Sequence, residues 1–519
     1  MTKQIKKYSF LISITLVLIH HEILIGQSKP NIILFLVDDM GWQDCSVPFW
    51  NKKTNANSIY ETPQMERLAK RGIKCTNAYA NPVCTPTRIS LLTGMNVVRH
   101  GVTNWTNVYK DQPTDHPDNE LIPADWNYNG LNPSSSISHT VQATTLPSLL
   151  KKAGYHTIHC GKAHFAPYGT PGSNPLNLGF DINIAGTAAG NPGSFLAEDH
   201  YRGKAGDTLW AVRDLDAHIQ KGDFLTDALT EEAINAIEKN RNSGKPFFLY
   251  MAHYAVHLPF SKDNRYYQKY INKGLSDAEA KYAGLVEGMD KSLGDIMNYL
   301  EKTGAVKNTY IIFMSDNGGL SLVPPRTGII HSHNLPLKKG KGSLYEGGIR
   351  IPMLVAGPGI PKNSITNQYL IAEDLFPTLL NWAGIHHPKV FQSIDGENMN
   401  AYFQHPSKVN EEKILLWHYP NNWTNINEHG ISWCSAIRQG KWKLIYFHKE
   451  QELELYDLEN DIEEQHDLSK SMPGLVKKLS SLMSKMMRER NAQLPVIKKT
   501  GVKIPWPDEI AVPSTTIDK

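Results

Sequence analysis

Behind the N-terminal leader, the first strongly patterned segment is Asn31-Ile-Ile-Leu-Phe-Leu-Val37, an apolar run of strand length rich in branched residues. With no polar alternation it suits a strand covered on both faces, as in a parallel sheet. Thr62-Pro63 opens a helix that Gly72 closes, with Met65, Leu68 and Ala69 on one side. An early proline and a terminal glycine are the usual helix asymmetry. A second helix runs from Leu146-Pro147 to Gly154 and feeds a strand from Tyr155 to Cys160. Phe247 to Ala252 and Thr309 to Met314 are further strand-like runs. Between them Ser276-Asp-Ala-Glu279 has capping-box spacing, and Leu285, Met289, Leu293, Ile296 and Leu300 form an apolar stripe ending at Gly304. Alternating strands and helices predict an α/β fold, a large mostly parallel sheet flanked by helices, over residues 27–400.

From residue 401 to 519 the pattern changes. Ser435 to Phe447 reads as two short strands around Gln439-Gly440, and Leu453 to Leu458 as another. A polar helix follows from about Pro473 to Asn491, with Leu475, Leu479, Leu482 and Met486 as its apolar side. The expectation is a smaller antiparallel sheet with a packed helix. Thr103 to Thr140 and Gly169 to Gly203, rich in small and polar residues, read as surface insertions, which often shape binding sites.

Composition narrows the class. The 519 residues are 40% hydrophobic and 20% charged, with a formal net charge of +3, which argues against disorder and a membrane-embedded body. There is no long basic run, so no nucleic-acid partner is expected. Lys3, Lys6 and Lys7 precede the apolar run Ser9 to Ile19, which is too short to span a bilayer. Residues 1–26 therefore read as a signal peptide, which places the chain in the periplasm or outside the cell without a stable membrane span. Five cysteines (45, 75, 84, 160 and 434) are an odd number. Four could pair in an oxidising compartment, and the one left over asks for an explanation.

Chemically loaded residues follow the strands. Asp38-Asp39 come after the first, Gly161-Lys162-Ala163-His164 after the second, His253 and His257 after the third, and Asp316-Asn317-Gly318-Gly319 after the fourth. Ligands of open parallel sheets bind beyond the carboxyl ends of strands, so these segments can converge. Asp38, Asp39, Asp316 and Asn317 are hard oxygen donors suited to calcium or magnesium. Arg88, Lys162, His164, His257 and Lys341 suit a tetrahedral oxyanion. Each segment alone is more often a turn, a cap or a structural residue, and their joint placement at strand ends is what favours a site. Cys84-Thr85-Pro86-Thr87-Arg88 is the more specific signal, placing Cys84 at the start of a helix through Thr93, where a thiolate or an anion is favoured. The plain alternative is a buried or disulfide-bonded cysteine.

Taken in order, these segments resemble the type I sulfatases of the alkaline-phosphatase superfamily. Cys84-Thr-Pro-Thr-Arg88 matches the signature whose cysteine is oxidised to formylglycine. Asp38-Asp-Met-Gly-Trp42, Gly161-Lys-Ala-His-Phe165, His257-Leu-Pro259, Ser315-Asp-Asn-Gly318, the block from Lys341 to Arg350, and Leu455-Tyr-Asp-Leu458 resemble successive family elements. Ala163 departs from the larger residue common at its position.

The resemblance implies a sulfuric ester hydrolase. Asp38, Asp39, Asp316, Asn317 and the modified Cys84 would ligate Ca2+, and the formylglycine diol would be the nucleophile, oriented by Arg88. Lys162, His257 and Lys341 would hold sulfate, His257 or Lys341 would protonate the leaving alcohol, and His164 would act as a base on the diol. The leftover cysteine then need not remain a thiol. His331, His333 and His418 are candidates to line the substrate pocket.

The implied partners are a formylglycine-generating or sulfatase-maturating enzyme and a sulfated carbohydrate, such as ulvan, carrageenan or a glycosaminoglycan. Two other readings stand beside this one: a phosphonate or phosphodiester hydrolase of the same superfamily, and a non-catalytic glycan-binding member with unmodified Cys84.

Overall fold

A computed structural model describes residues 29–203, 207–321, 334–426 and 428–511. The leader, His331 and His333 lie outside the described residues. The central sheet has eight strands: β1 (Asn31–Val37), β2 (Ile73–Cys75), β3 (His156–Gly161), β4 (Ile182–Ile184), β5 (Phe247–Ala252), β6 (Thr309–Ser315), β7 (Met353–Ala356) and β8 (Ser364–Thr366). Their order is β8-β2-β7-β6-β1-β5-β3-β4. Only β7 runs antiparallel to its neighbours.

β1 shows why its run is unbroken. Ile33, Phe35 and Val37 enter the core on one face, and Ile32, Leu34 and Leu36 enter the core on the other. The first face packs against α1 (Pro63–Arg71), α4 (Leu225–Arg241) and α5 (Asp277–Lys302). The second packs against α2 (Cys84–Thr93), α3 (Leu146–Lys152) and α6 (Leu375–Trp382). Two covered faces leave no position for a polar side chain. At α5 the Ser276 hydroxyl accepts the Glu279 N–H, and Leu285, Met289, Leu293, Ile296 and Leu300 are fully buried.

Two expectations about the insertions need correction. Gly169 to Gly203 is no surface excursion: it supplies β4 to the sheet and buries Ala185, Ala188, Ala189 and Phe195. Thr103 to Thr140 buries Thr103, Asn104 and Thr106, and its turns are held by side chains. Asn132 donates to the Asn129 carbonyl and accepts from Gly172, and Asp118 accepts from the Glu120 and Leu121 amides. Polar residues here replace missing backbone partners.

The C-terminal part forms an antiparallel meander, β9 (Ile414–Tyr419), β10 (Cys434–Gln439), β11 (Trp442–Phe447) and β12 (Glu452–Asp457), followed by α7 (Pro473–Glu489). The buried stripe of α7 is Val476, Leu479, Met483 and Met487. The expected Leu475, Leu482 and Met486 flank it and are only partly buried, so the helix is rotated from the predicted face.

Meander and main body share one apolar cluster that joins Tyr79, Leu344 and Ile349 to Trp417, Ala436 and Ile445. They also share a buried ion network. Lys443 sits 2.9 Å from Glu346 and 2.8 Å from Glu464, and Arg350 lies 3.0 Å from Glu346. Lys443→Met is expected to destabilise the chain by about 3–5 kcal/mol, because it leaves Glu464 buried without its cation. Denaturant unfolding measures this; a loss under about 1 kcal/mol, the size expected of an exposed pair, would show that the network is solvated.

Candidate active site

The four strands that carry the loaded residues are neighbours, β6-β1-β5-β3, at the middle of the sheet. Register pairs Leu36 with Ala252, Ala252 with Gly161, and Val37 with Ser315. The residues just beyond, Asp38, Asp316, His253 and Lys162, therefore leave the sheet at nearly one level. Gly161 makes the tight exit at β3. Its φ is 97°, and a Cβ there would lie 1.9 Å from the Ala252 carbonyl oxygen. The Lys162 amide donates to that carbonyl.

Carboxylates and cations interlock at this level. Lys162 Nζ donates to Asp38 at 2.6 Å, with both side chains fully buried. Arg88 donates from Nε and Nη2 to Asp316 Oδ2 at 3.0 and 2.6 Å, and from Nη1 to the Lys162 carbonyl. Lys341 Nζ lies 2.7 Å from Asp39 Oδ1, which also accepts from Asn317 Nδ2 at 2.7 Å. His257 Nε2 stands 3.5 Å from Asp39, and its Nδ1–H points to the Leu258 carbonyl at 2.9 Å. Burial works to raise Asp39, but Lys341, His257 and Lys162 hold it below the usual carboxylate range. Burial and the neighbouring Asp316 push Asp38 up to about 8.

The donor set fits a hard cation. Asp38 Oδ1 and Asn317 Oδ1 are buried with no hydrogen-bond partner, and Asp38, Asp39 and His257 offer ligand atoms within 4.8 Å of one another. A buried oxygen left unsatisfied costs about 1–3 kcal/mol, and a calcium ion accepts several such oxygens.

Cys84 opens α2 as expected. Its segment is fixed from both sides: Thr85 Oγ1 accepts the Thr106 amide, and Thr87 Oγ1 accepts the Asn81 amide. Cys84 Sγ lies 3.4 Å from His164 Nδ1. His164 Nε2 lies 2.8 Å from the Thr106 carbonyl, which accepts only, so Nε2 carries the proton and Nδ1 turns a lone pair to Cys84. Burial pushes the Cys84 thiol up, even with Lys162 and Lys341 nearby. The helix start by itself thus does not make Cys84 a thiolate.

Other expectations part company here. His418 does not line the pocket. It is buried in β9, with Nδ1 2.8 Å from Ser435 Oγ and Nε2 2.8 Å from the Gln493 carbonyl, because strand alternation turns it into the C-terminal core. His253 is likewise structural, 2.8 Å from Ser292 Oγ. Lys341 enters the site on Asp39, whereas the lysines just before it do not: Lys338 donates to the Glu464 carbonyl and Lys339 pairs with Glu428. All five cysteines are buried and free, so none of the pairings that the count allowed is formed. No helix of the described residues is long and apolar enough to cross a membrane.

The site opens into a cavity of about 350 Å³. Its walls include Trp105, His116, Asn191, Trp210, Trp423 and Asn425, which the sequence alone did not single out. Trp423 is seated against Gly342 (φ 85°), where a Cβ would come within 2.1 Å of the indole. Trp105 lies in the first polar insertion, whereas Trp210 and Trp423 lie outside both, so no local pattern announced this wall.

Comparison with known proteins shows the family. The family model described as Sulfatase matches residues 30–385, and one described as N-sulphoglucosamine sulphohydrolase, C-terminal, matches residues 340–493. A protein named sulfatase from Formosa agariphila is 28% identical over 99% of both chains. The N-acetylgalactosamine-6-sulfatase of Mus musculus is 30% identical over 78% of this chain and 75% of its own length. Among solved structures, Ps i-CgsB in complex with k-i-k-neocarrahexaose superimposes with a TM-score of 0.68 at 29% identity, covering 89% of this chain and 94% of that one. With strands, Cys84 segment and charged cluster in this order, and a family model spanning more than half of its length, the chain belongs to the sulfatase family of sulfuric ester hydrolases.

Proposed function

We propose that this chain is an exported, calcium-dependent enzyme that removes sulfate from a sulfated carbohydrate, and that Cys84 is its formylglycine precursor. Residues 27–400 would be the catalytic body and 401–519 the C-terminal subdomain. The observation that carries the reading is the buried cluster around Cys84, where orphaned Asp38 and Asn317 oxygens adjoin Lys162, Lys341 and His257. The carbohydrate part draws support from two relatives, one named for N-acetylgalactosamine 6-sulfate and one solved with k-i-k-neocarrahexaose.

Asp38, Asp39, Asp316 and Asn317, with the modified residue 84, would hold the cation. Bound calcium would supply a Lewis acid, and the hydrated aldehyde an oxygen nucleophile that no standard side chain offers. Lys162 and Lys341 bind the ester's sulfate oxygens and offset the charge that develops on them. Arg88, tied to Asp316 and the Lys162 carbonyl, fixes the start of α2 and hence the direction of attack. His257 and Lys341 stand together on Asp39, where one of them gives the leaving alcohol its proton. His164, held by Thr106 with its Nδ1 lone pair toward residue 84, takes a proton from that side chain and so lets sulfate depart.

The deciding experiment pairs sulfate and phosphate esters of the same alcohols with enzyme matured in a host that makes formylglycine. Sulfate monoesters are expected to turn over at least about 100-fold faster, a difference of roughly 2.7 kcal/mol in transition-state binding. Faster turnover of phosphodiesters would sink this reading.

A further inference from the structure

Resting on the sulfated-carbohydrate reading, we infer that the pocket continues into a groove for a glycan chain whose units beside the sulfated one carry little or no charge. Three depressions meet at shared walls. Thr424, Asn425 and Ile426 line both the 350 Å³ cavity at Cys84 and a second depression of about 200 Å³. Pro117 and Asp118 line that second depression and a third of about 510 Å³. His116 belongs to the third and to the Cys84 cavity, which closes the circuit. The Cys84 cavity alone is at the small end of ligand pockets, which run about 300–1,000 Å³. The extensions give room for neighbouring sugars.

Charge then says which neighbours fit. The walls of the two outer depressions carry Asp115, Asp118, Glu120 and Asp125 against Lys449 and Lys498, with no arginine among the described residues that line them. Lys449 is not a free anion receptor, because it is 2.6 Å from Asp118. Asp115 is occupied by the Trp126 indole, the Asn421 side chain and the Asn422 amide. Glu120 and Asp125 are 68% and 72% exposed; Glu120 shares Lys449 with Asp118 at 3.7 Å and Asp125 lies 3.1 Å from His139, so carboxylates outnumber lysines along the rim. Lys498, the other lysine of these walls, donates to the Asp118 carbonyl, and the cations of the Cys84 site are buried, Lys341 lining the cavity and Arg88 and Lys162 lying behind it. A sulfate on the reacting sugar therefore meets cations, whereas a sulfate or carboxylate on an adjoining sugar meets like charge. Asn119 and Asn425 offer neutral amides to hydroxyl groups there. Repulsion of a wrong substrate is as effective a discriminator as attraction of the right one.

The test compares kcat/KM of the mature enzyme on three probes: a sulfated monosaccharide, the same unit within a neutral oligosaccharide, and that oligosaccharide with sulfates on the adjoining units. The neutral-flanked chain is expected to exceed each of the others by about tenfold at low ionic strength. Its lead over the sulfate-flanked chain should shrink in 1 M salt, where the Debye length falls to about 3 Å. In the double variant E120K/D125K the ratio between the two oligosaccharides should approach one. Equal rates on all three probes, a preference for the sulfate-flanked chain, or an unchanged ratio in the variant would each overturn the groove while leaving sulfatase activity intact. If none of the three is cleaved, the sulfated-carbohydrate reading falls and the groove falls with it.

Discussion

Replacing Cys84 with alanine should lower sulfate-ester turnover by on the order of 10⁴-fold or more, the scale on which a lost nucleophile is felt. The expectation rests on where Cys84 sits. It heads a buried helix whose first turn is held by Asn81 and Thr106, and Arg88, one turn on, is fixed to Asp316. Alanine fits that space and removes only the reacting atoms, so the fold should survive and the loss should fall on kcat. A serine variant separates two chemistries. If residue 84 acted as its own thiol, serine would retain a weak hydroxyl nucleophile in every host. If it acts as an aldehyde hydrate, serine stays inactive except where the maturing host also oxidises serine. Mass spectrometry of the peptide containing residue 84 supplies the second arm. Active enzyme whose Cys84 is an intact thiol would refute the aldehyde, and an unmodified, inactive chain that still binds sulfated glycans would favour the binding-protein alternative.

The main strands and the helix that Cys84 opens were legible because each is a local pattern. Asn31–Val37 and Phe247–Ala252 appear as strands at the expected bounds, since an apolar run covered on both faces has one simple solution. Ser276 and Glu279 announce α5 by capping chemistry that needs no tertiary contact. What failed depends on packing between distant segments. α4 escaped because its buried side sets Ala228, Ala233 and Ala236, with Thr226 and Thr230, among only three large apolar residues, Leu225, Leu229 and Ile237. His418 looked like a pocket residue until strand alternation placed it in the C-terminal core. Lys341 could be named from its motif, but its seat on Asp39 joins residues 302 positions apart, a contact that no periodicity reveals. The same holds for the wall built from Trp105, Trp210 and Trp423, which belong to three separate segments.

Chelation is expected to lower activity and stability together, with calcium restoring both. Asp38, Asp39 and Asp316 share one buried cluster, and Lys162, Lys341 and Arg88 already balance them one for one. That pairing leaves Asp38 Oδ1 and Asn317 Oδ1 buried without partners, so a cation there relieves two desolvated oxygens without displacing an ion pair. Calcium at about 100 times its dissociation constant should stabilise the fold by about 2.7 kcal/mol, through binding to the native state alone. Asn317→Ala is the informative variant. Asp316→Ala would strand Arg88 as a buried charge and cost about 3–5 kcal/mol whether or not calcium binds there. Asn317→Ala instead removes one orphaned acceptor and one donor to Asp39, so its main effect should be to blunt the rise of melting temperature with calcium concentration. A melting temperature indifferent to calcium in the unaltered protein, together with turnover that survives exhaustive chelation, would mean that the cluster balances its charges without a metal, and that the two bare oxygens are met by water.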